Sequence, residues 1–169
     1  GGEFRARIWI FTDVTDAHFS TFDELTGLPN RRAFSRAFPA FVEAPDDGMI
    51  RAVAIMDIDN FKGYNDRYGH AAGDAVLHQI GGLLRGHLRR ADDLVFRIGG
   101  EEFLMASKAP ERVNAEDLFE AVRGSIAAMA LPHAGNPPHG VVTASLGVGL
   151  FRGPQVPAAV FAGADASLY

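Results

Sequence analysis

The 169-residue sequence contains no cysteine. That excludes disulfide bonds and thiolate metal sites, and it fits a reducing compartment. Basic charge is not in excess: 16 Lys and Arg stand against 21 Asp and Glu, for a net charge of -5. A general nucleic-acid-binding face is therefore not expected. No apolar run reaches membrane-spanning length, and no signal-peptide pattern opens the chain. Internal repeats and low-complexity tracts are absent as well. What is present is a 47% hydrophobic composition, enough to bury one core in one domain. The abrupt Gly1-Gly2-Glu3-Phe4 start resembles a cloning scar. The chain stops at Leu168-Tyr169 inside a helical pattern, so it reads as a piece excised from a longer protein.

Hydrophobic periodicity divides the chain into alternating elements. Arg7 to Asp13 (RIWIFTD) alternates and is rich in β-branched and aromatic residues, which predicts a strand. Asp23 to Asn30 (DELTGLPN) is a turn, and Asn30 is placed to cap a helix carrying Ala33, Phe34, Ala37, Phe38 and Phe41. Met49 to Ile58 is almost wholly apolar, as a strand buried on both faces should be. Asp59 to Gly69 predicts a short helix or an irregular loop, and Ala71 to Leu88 a long helix. Asp93–Arg97 and Phe103–Ser107 predict a hairpin closed on Gly99-Gly100. A helix over Ala115–Ala130, a strand over Val141–Phe151 and a final helix from Ala158 complete the pattern. The expected fold is α/β, one mixed central sheet with flanking helices.

Three clusters carry chemistry. Asp57 ends the buried strand, where α/β proteins place ligand groups, and an acid there needs a partner. A hard cation such as Mg²⁺ is one partner, with the main-chain carbonyl of Ile58 as a further oxygen and Lys62 facing a phosphate. A strand-end Asp that caps the next turn is the structural alternative. Asn65 and Asp74 have the donors and acceptors to read a guanine edge, although Asp74 also suits the first turn of the long helix. His70 reads as a packing or capping residue. Glu101 and Glu102 follow the glycine pair, and successive strand residues point to opposite faces. Both can serve one site only if the hairpin twists or if one holds metal and the other acts elsewhere.

Taken in order, these motifs resemble the GGDEF family, the diguanylate cyclases. The signature stands as Gly99-Gly100-Glu101-Glu102-Phe103, a variant with Glu in third place. Asp23 to Arg32 resembles the family's opening motif, Asp57–Lys62 and Asn65–Asp74 its central block, and Asp165–Tyr169 the start of its last. The resemblance implies a fold like the palm of nucleotide cyclases and polymerases, with a ferredoxin-like core. It implies GTP as substrate and cyclic di-GMP with pyrophosphate as products. Asp57, the Ile58 carbonyl and Glu101 would hold Mg²⁺ (or Mn²⁺), with Glu102 near a second ion. Asn60, Phe61 and Lys62 would hold phosphates, and Asn65 and Asp74 the guanine. Arg90 and Asp93 match the family's inhibitory RxxD pattern, which binds cyclic di-GMP. A homodimer is needed, because each domain binds one GTP.

The same resemblance implies a bacterial, cytoplasmic setting inside a parent protein that is free or membrane-attached. Residues 1–20 resemble the closing strand and exit of a PAS sensor domain, leaving 21–169 for the GGDEF domain. The family's last helix carries a Lys and an Arg beyond the position of Tyr169. The rival reading is a silent GTP-sensing domain that regulates a downstream phosphodiesterase.

Overall fold

The structure, a computed structural model, describes residues 20–168. The strand expected at Arg7–Asp13, and the sensor-domain tail it implies, lie outside the described residues. Helix α1, Arg31–Glu43, begins where Asn30 caps it. The Asn30 side-chain oxygen accepts from the N–H groups of Arg32 at 3.0 Å and Ala33 at 3.2 Å. That satisfies two of the donors a helix start leaves orphaned. β1, Ile50–Ile58, is buried along nearly its whole length. α2, Phe61–Tyr68, and α3, His70–His87, meet at Gly69, whose φ of 88° suits glycine. β2 (Leu94–Arg97) and β3 (Glu102–Ala109) form the hairpin. α4 (Arg112–Ala128), β4 (Ala144–Phe151) and α5 (Pro157–Ala166) follow.

The strand order is β2-β3-β1-β4, and all three pairs are antiparallel. This is the split β-α-β arrangement of a ferredoxin-like core. The α2–α3 crossover returns β2 in the direction of β1, but β3 folds back and lies between them. Neighbouring strands are therefore never parallel among the described residues. Parallel pairing is confined to an isolated bridge between Asn30 and Arg97. The α/β palm is as expected, with an antiparallel sheet in place of the mixed one.

Alternation along β1 and β3 feeds two cores. Ala52, Ala54, Met56, Phe103 and Met105 pack against α3 and α4 through Leu77, Ile80, Phe119 and Val122. Val53, Ile55, Leu104 and Ala106 pack against α1 and α5 through Phe38, Val42 and Ala164. β4 starts three residues later than the apolar pattern suggests. Val141 bridges back to Pro132, and the Thr143 carbonyl accepts the Asp59 N–H at 3.0 Å.

Candidate active site

Asp57 lies one residue before the end of the central strand. Its register partners are Glu102 on β3 and Ser145 on β4. Directly opposed residues of an antiparallel pair share a face, so Asp57 and Glu102 stand side by side. Burial pushes the Asp57 carboxyl up, and the charges of Glu101, Glu102 and Asp59 push it further, to about 6.

The glycine pair does not form the expected two-residue turn. β2 ends at Arg97 and β3 starts at Glu102, so four residues make the reversal, closed by Ile98 N–H donating to the Glu102 carbonyl at 3.0 Å. Neither Gly99 nor Gly100 has the positive φ such a turn demands. Gly99 lies close under the Glu102 side chain: a Cβ there would fall 2.3 Å from Oε2, its movable end, and 3.2 Å from its Cβ. Gly100 gives its carbonyl to Arg97, whose Nε and Nη2 donate at 3.1 and 2.7 Å. Arg97 Nη1 also donates to both Asp23 oxygens, at 2.9 and 3.1 Å. One guanidinium thus ties the opening DELTGLPN turn to the signature hairpin. Burial alone would raise the Asp23 carboxyl, but hydrogen bonds from Thr26 and Arg97 outweigh it and hold it low. Arg97→Ala should lower stability by about 1–2 kcal/mol at neutral pH. It should also speed amide exchange in residues 98–101. Because the Asp23 value is lowered, this contribution is present above the ordinary value of 3.8 and is lost as pH falls through the lowered one. Melts of both proteins across that range check it.

The turn from β1 into α2 is clamped from β4. The Asp59 carboxylate accepts from Thr143 Oγ1 at 2.5 Å and Ser145 Oγ at 2.6 Å. Asn60 adopts a left-handed conformation, φ 50° and ψ 40°, and its side chain donates to the Gly135 carbonyl at 2.7 Å. Its amide nitrogen is therefore committed to the fold. Phe61 opens α2 with its side chain buried, while Lys62 is exposed.

Beside this turn lies an open cleft of about 470 Å³ lined by Phe61, Lys62, Asn65, Asp66, His70 and Glu101. It joins two of the sequence clusters. Asn65 Oδ1 is buried there and bonds nothing in the protein. Gly73 makes room for it, since a Cβ at that position would meet Asn65 Oδ1 at 1.9 Å. Asp74 follows Gly73 on α3 and is exposed, but it does not line the cleft. His70 is neither packed nor a cap, because it is exposed on the cleft wall and Gly69 occupies the cap position. Glu102 lines a different cleft, with Arg31, Phe34, Ile98, Phe161 and Asp165. The two glutamates thus diverge as strand alternation requires, while both still act on Asp57.

Arg90 and Asp93 sit at the far end of the β2–β3 hairpin, about 13 Å of strand from the glycine turn. The Asp93 carboxylate accepts from Arg90 N–H at 2.9 Å and Ser107 Oγ at 2.6 Å. It holds the turn that presents the exposed Arg90 side chain, whose guanidinium reaches only the Lys108 carbonyl at 3.4 Å.

Among the described residues, no three His, Asp or Glu side chains converge into a ready-made metal cage. Asp57 and Glu101 are close enough to feel each other's charge without enclosing an ion. That suits Mg²⁺, which takes one or two carboxylates and fills its other positions with water and substrate oxygens. The Ile58 carbonyl, at the strand end, is a further oxygen for it. An acid raised to about 6 by burial, and further by like charges, is a group that a divalent cation would relieve.

The sign of this effect is testable without ligand. The folded Asp57 value lies above the ordinary 3.8, so its contribution is favourable at low pH and is lost as pH rises from 3.8 to about 6. The full shift corresponds to about 3 kcal/mol, which solvent screening of this half-exposed group reduces to about 1 kcal/mol. Metal-free Asp57→Asn should therefore melt higher than the wild type at pH 7, and the two should converge near pH 4.

A ferredoxin-like palm with carboxylates gathered at the end of its central strand defines the class of domain. The family model described as "Diguanylate cyclase, GGDEF domain" matches residues 20–169, and the chain belongs to the GGDEF family. It is 43% identical over 148 residues to the diguanylate cyclase DgcP of Pseudomonas aeruginosa, covering 87% of this chain and 22% of that protein. It is 39% identical over 159 residues to the diguanylate cyclase TpbB of the same species, covering 90% of this chain and 35% of that one. The chain thus spans about a fifth to a third of the length of these curated relatives. Among solved structures, the GGDEF domain of DgcB from Caulobacter crescentus, in complex with cyclic di-GMP, superposes with a TM-score of 0.76. That likeness covers 95% of this chain and 91% of that one at 30% identity. No helix among the described residues is long and apolar enough to cross a membrane.

Proposed function

We propose that this domain is a diguanylate cyclase, condensing two GTP into cyclic di-GMP with release of pyrophosphate. The observation that carries the reading is the convergence of Asp57 and Glu101 with the cleft of Lys62 and Asn65. In this reading the guanine lies against Asn65 in the cleft, with Asp74 at the α3 side. The triphosphate runs toward Lys62 and the N–H groups that open α2, a helix start with its favourable dipole. Asp57, the Ile58 carbonyl and Glu101 would hold one Mg²⁺ or Mn²⁺, and Glu102 would stand near a second. Such ions supply charge neutralisation at the phosphates and a more acidic nucleophile.

The protein's own part is positioning. Lys62 and the α2 N–H groups orient the α-phosphorus for in-line attack, which is most of what phosphoryl-type transfer asks of an enzyme. The ribose 3′-oxygen of one GTP bonds the α-phosphorus of the other, and the bond to pyrophosphate breaks. Two such steps close the ring. Each domain supplies one GTP, so two copies face each other across a two-fold axis. Product inhibition through Arg90, with Asp93 setting its turn, fits the exposure of that guanidinium, and the DgcB neighbour binds the same product.

The site assignment is tested by thermal unfolding. GTP with Mg²⁺ should raise the melting temperature of the wild type, and Asp57→Asn should remove the magnesium-dependent part of that rise. A magnesium increment that survives the substitution contradicts the assignment.

A further inference from the structure

The loop from Pro132 to Gly140 holds none of the residues that the motifs single out, yet it grips the turn into α2. His133 is fully buried on it. Its Nε2 lies 3.1 Å from the Asn60 carbonyl oxygen, which can only accept, so Nε2–H donates there. Nδ1 is buried and bonds nothing in the protein. The Tyr64 ring meets the imidazole edge-on, with centroids 5.2 Å apart. From the same loop, the Gly135 carbonyl accepts the Asn60 side-chain amide. Asn60 is thus held at both its carbonyl and its side chain, in a left-handed conformation that persists only where the surroundings enforce it.

The peptide geometry gives this grip a consequence. The Asn60 carbonyl and the Phe61 N–H belong to one planar trans unit and point in opposite directions. The Asn60 carbonyl also accepts the Tyr64 N–H at 3.0 Å, so His133 is the second donor on this oxygen, and fixing the carbonyl aims the Phe61 N–H. Phe61 is the first residue of α2, so its N–H has no intrahelical partner and is free for an anion. A histidine that merely filled the core would not need to donate to this carbonyl.

We infer that His133 is a positioning residue: it holds the Asn60–Phe61 peptide so that the α2 N–H groups meet the substrate's phosphates. The inference rests on the GTP reading above, and it assigns His133 the phosphate part of the affinity but not the base part. The test titrates the full chain, with Mg²⁺, against GTP by calorimetry and against guanosine by NMR. His133→Phe fills the space without the donor, and His133→Gln returns an N–H at the Nε2 position.

His133→Phe should bind GTP about 10-fold more weakly, the worth of one hydrogen bond, with guanosine binding unchanged. His133→Gln should recover to within about 3-fold of the wild type. Gly135→Ala gives a second approach if the buried Phe substitution fails to fold, because Gly135 is exposed. Its Cβ would stand 3.2 Å from His133 Cε1 and 3.3 Å from Asn60 Nδ2, so it should weaken GTP selectively as well. Equal weakening of GTP and guanosine, or unchanged GTP binding in folded variants, overturns the inference. A wild type that binds GTP no better than guanosine overturns the substrate reading itself, and this inference with it.

Discussion

Asp57→Asn will abolish cyclic di-GMP formation while the domain stays folded. Glu101→Ala will do the same. Loss of a carboxylate that helps bind the metal removes several kcal/mol of transition-state stabilisation, which is about a 1000-fold fall in turnover. The two substitutions part company in stability. Asp57 is partly buried and sits among Glu101, Glu102 and Asp59, so its charge works against the metal-free fold. Neutralising it therefore raises the melting point at neutral pH while it removes activity. A residue kept for structure would show the opposite pairing, with lost stability and partial activity. Product chromatography and a thermal melt on one preparation distinguish the two.

Gly147→Ala will be the most damaging single-methyl change away from the site. A Cβ at Gly147 would lie 2.1 Å from the Ala164 carbonyl oxygen and 2.6 Å from the Leu168 nitrogen. Both are backbone atoms, and neither can rotate aside. α5 would have to lift from β4, taking Val160, Phe161 and Ala164 out of the core against Val53 and Leu104. Overpacking of this kind costs about 3 kcal/mol. In a domain of this size that lowers the melting temperature by about 10 °C. Gly149 is the control. It lies on the same strand and the same face, but its added Cβ would meet nothing closer than 3.9 Å. Gly149→Ala should change the melting temperature by less than about 2 °C, since an ordinary surface change stays within about 0.5 kcal/mol. Calorimetric melts of the two variants settle the comparison.

Much of this architecture is legible along the chain because it is local. Asn30 as a cap, the apolar run of β1 and the helical face of α3 are each set within a few residues. Pairing Asp57 with the glutamates is also legible, because an acid at a buried strand end needs an explanation and the glycine hairpin offers one. The direction of pairing is not. Whether β2 or β3 lies beside β1 depends on how the hairpin folds back, and no periodicity encodes that choice. Nor is the close approach of Gly99 to the Glu102 side chain. The clamp on the active turn is the least visible part. Thr143 and Ser145 reach Asp59 across 84 and 86 residues, and His133 reaches Asn60 across 73. Thr, Ser and His are ordinary residues in a loop and a strand until the fold brings them to one turn.

Turnover tests the cyclase assignment most directly. The domain should be incubated with GTP and Mg²⁺ over a range of protein concentrations, and the products separated by chromatography. Cyclic di-GMP and pyrophosphate should form, at a rate that rises faster than linearly with protein because two GTP-loaded copies must meet. GTP binding with no product at any concentration, even with dimerisation enforced by a fused coiled coil, would contradict it.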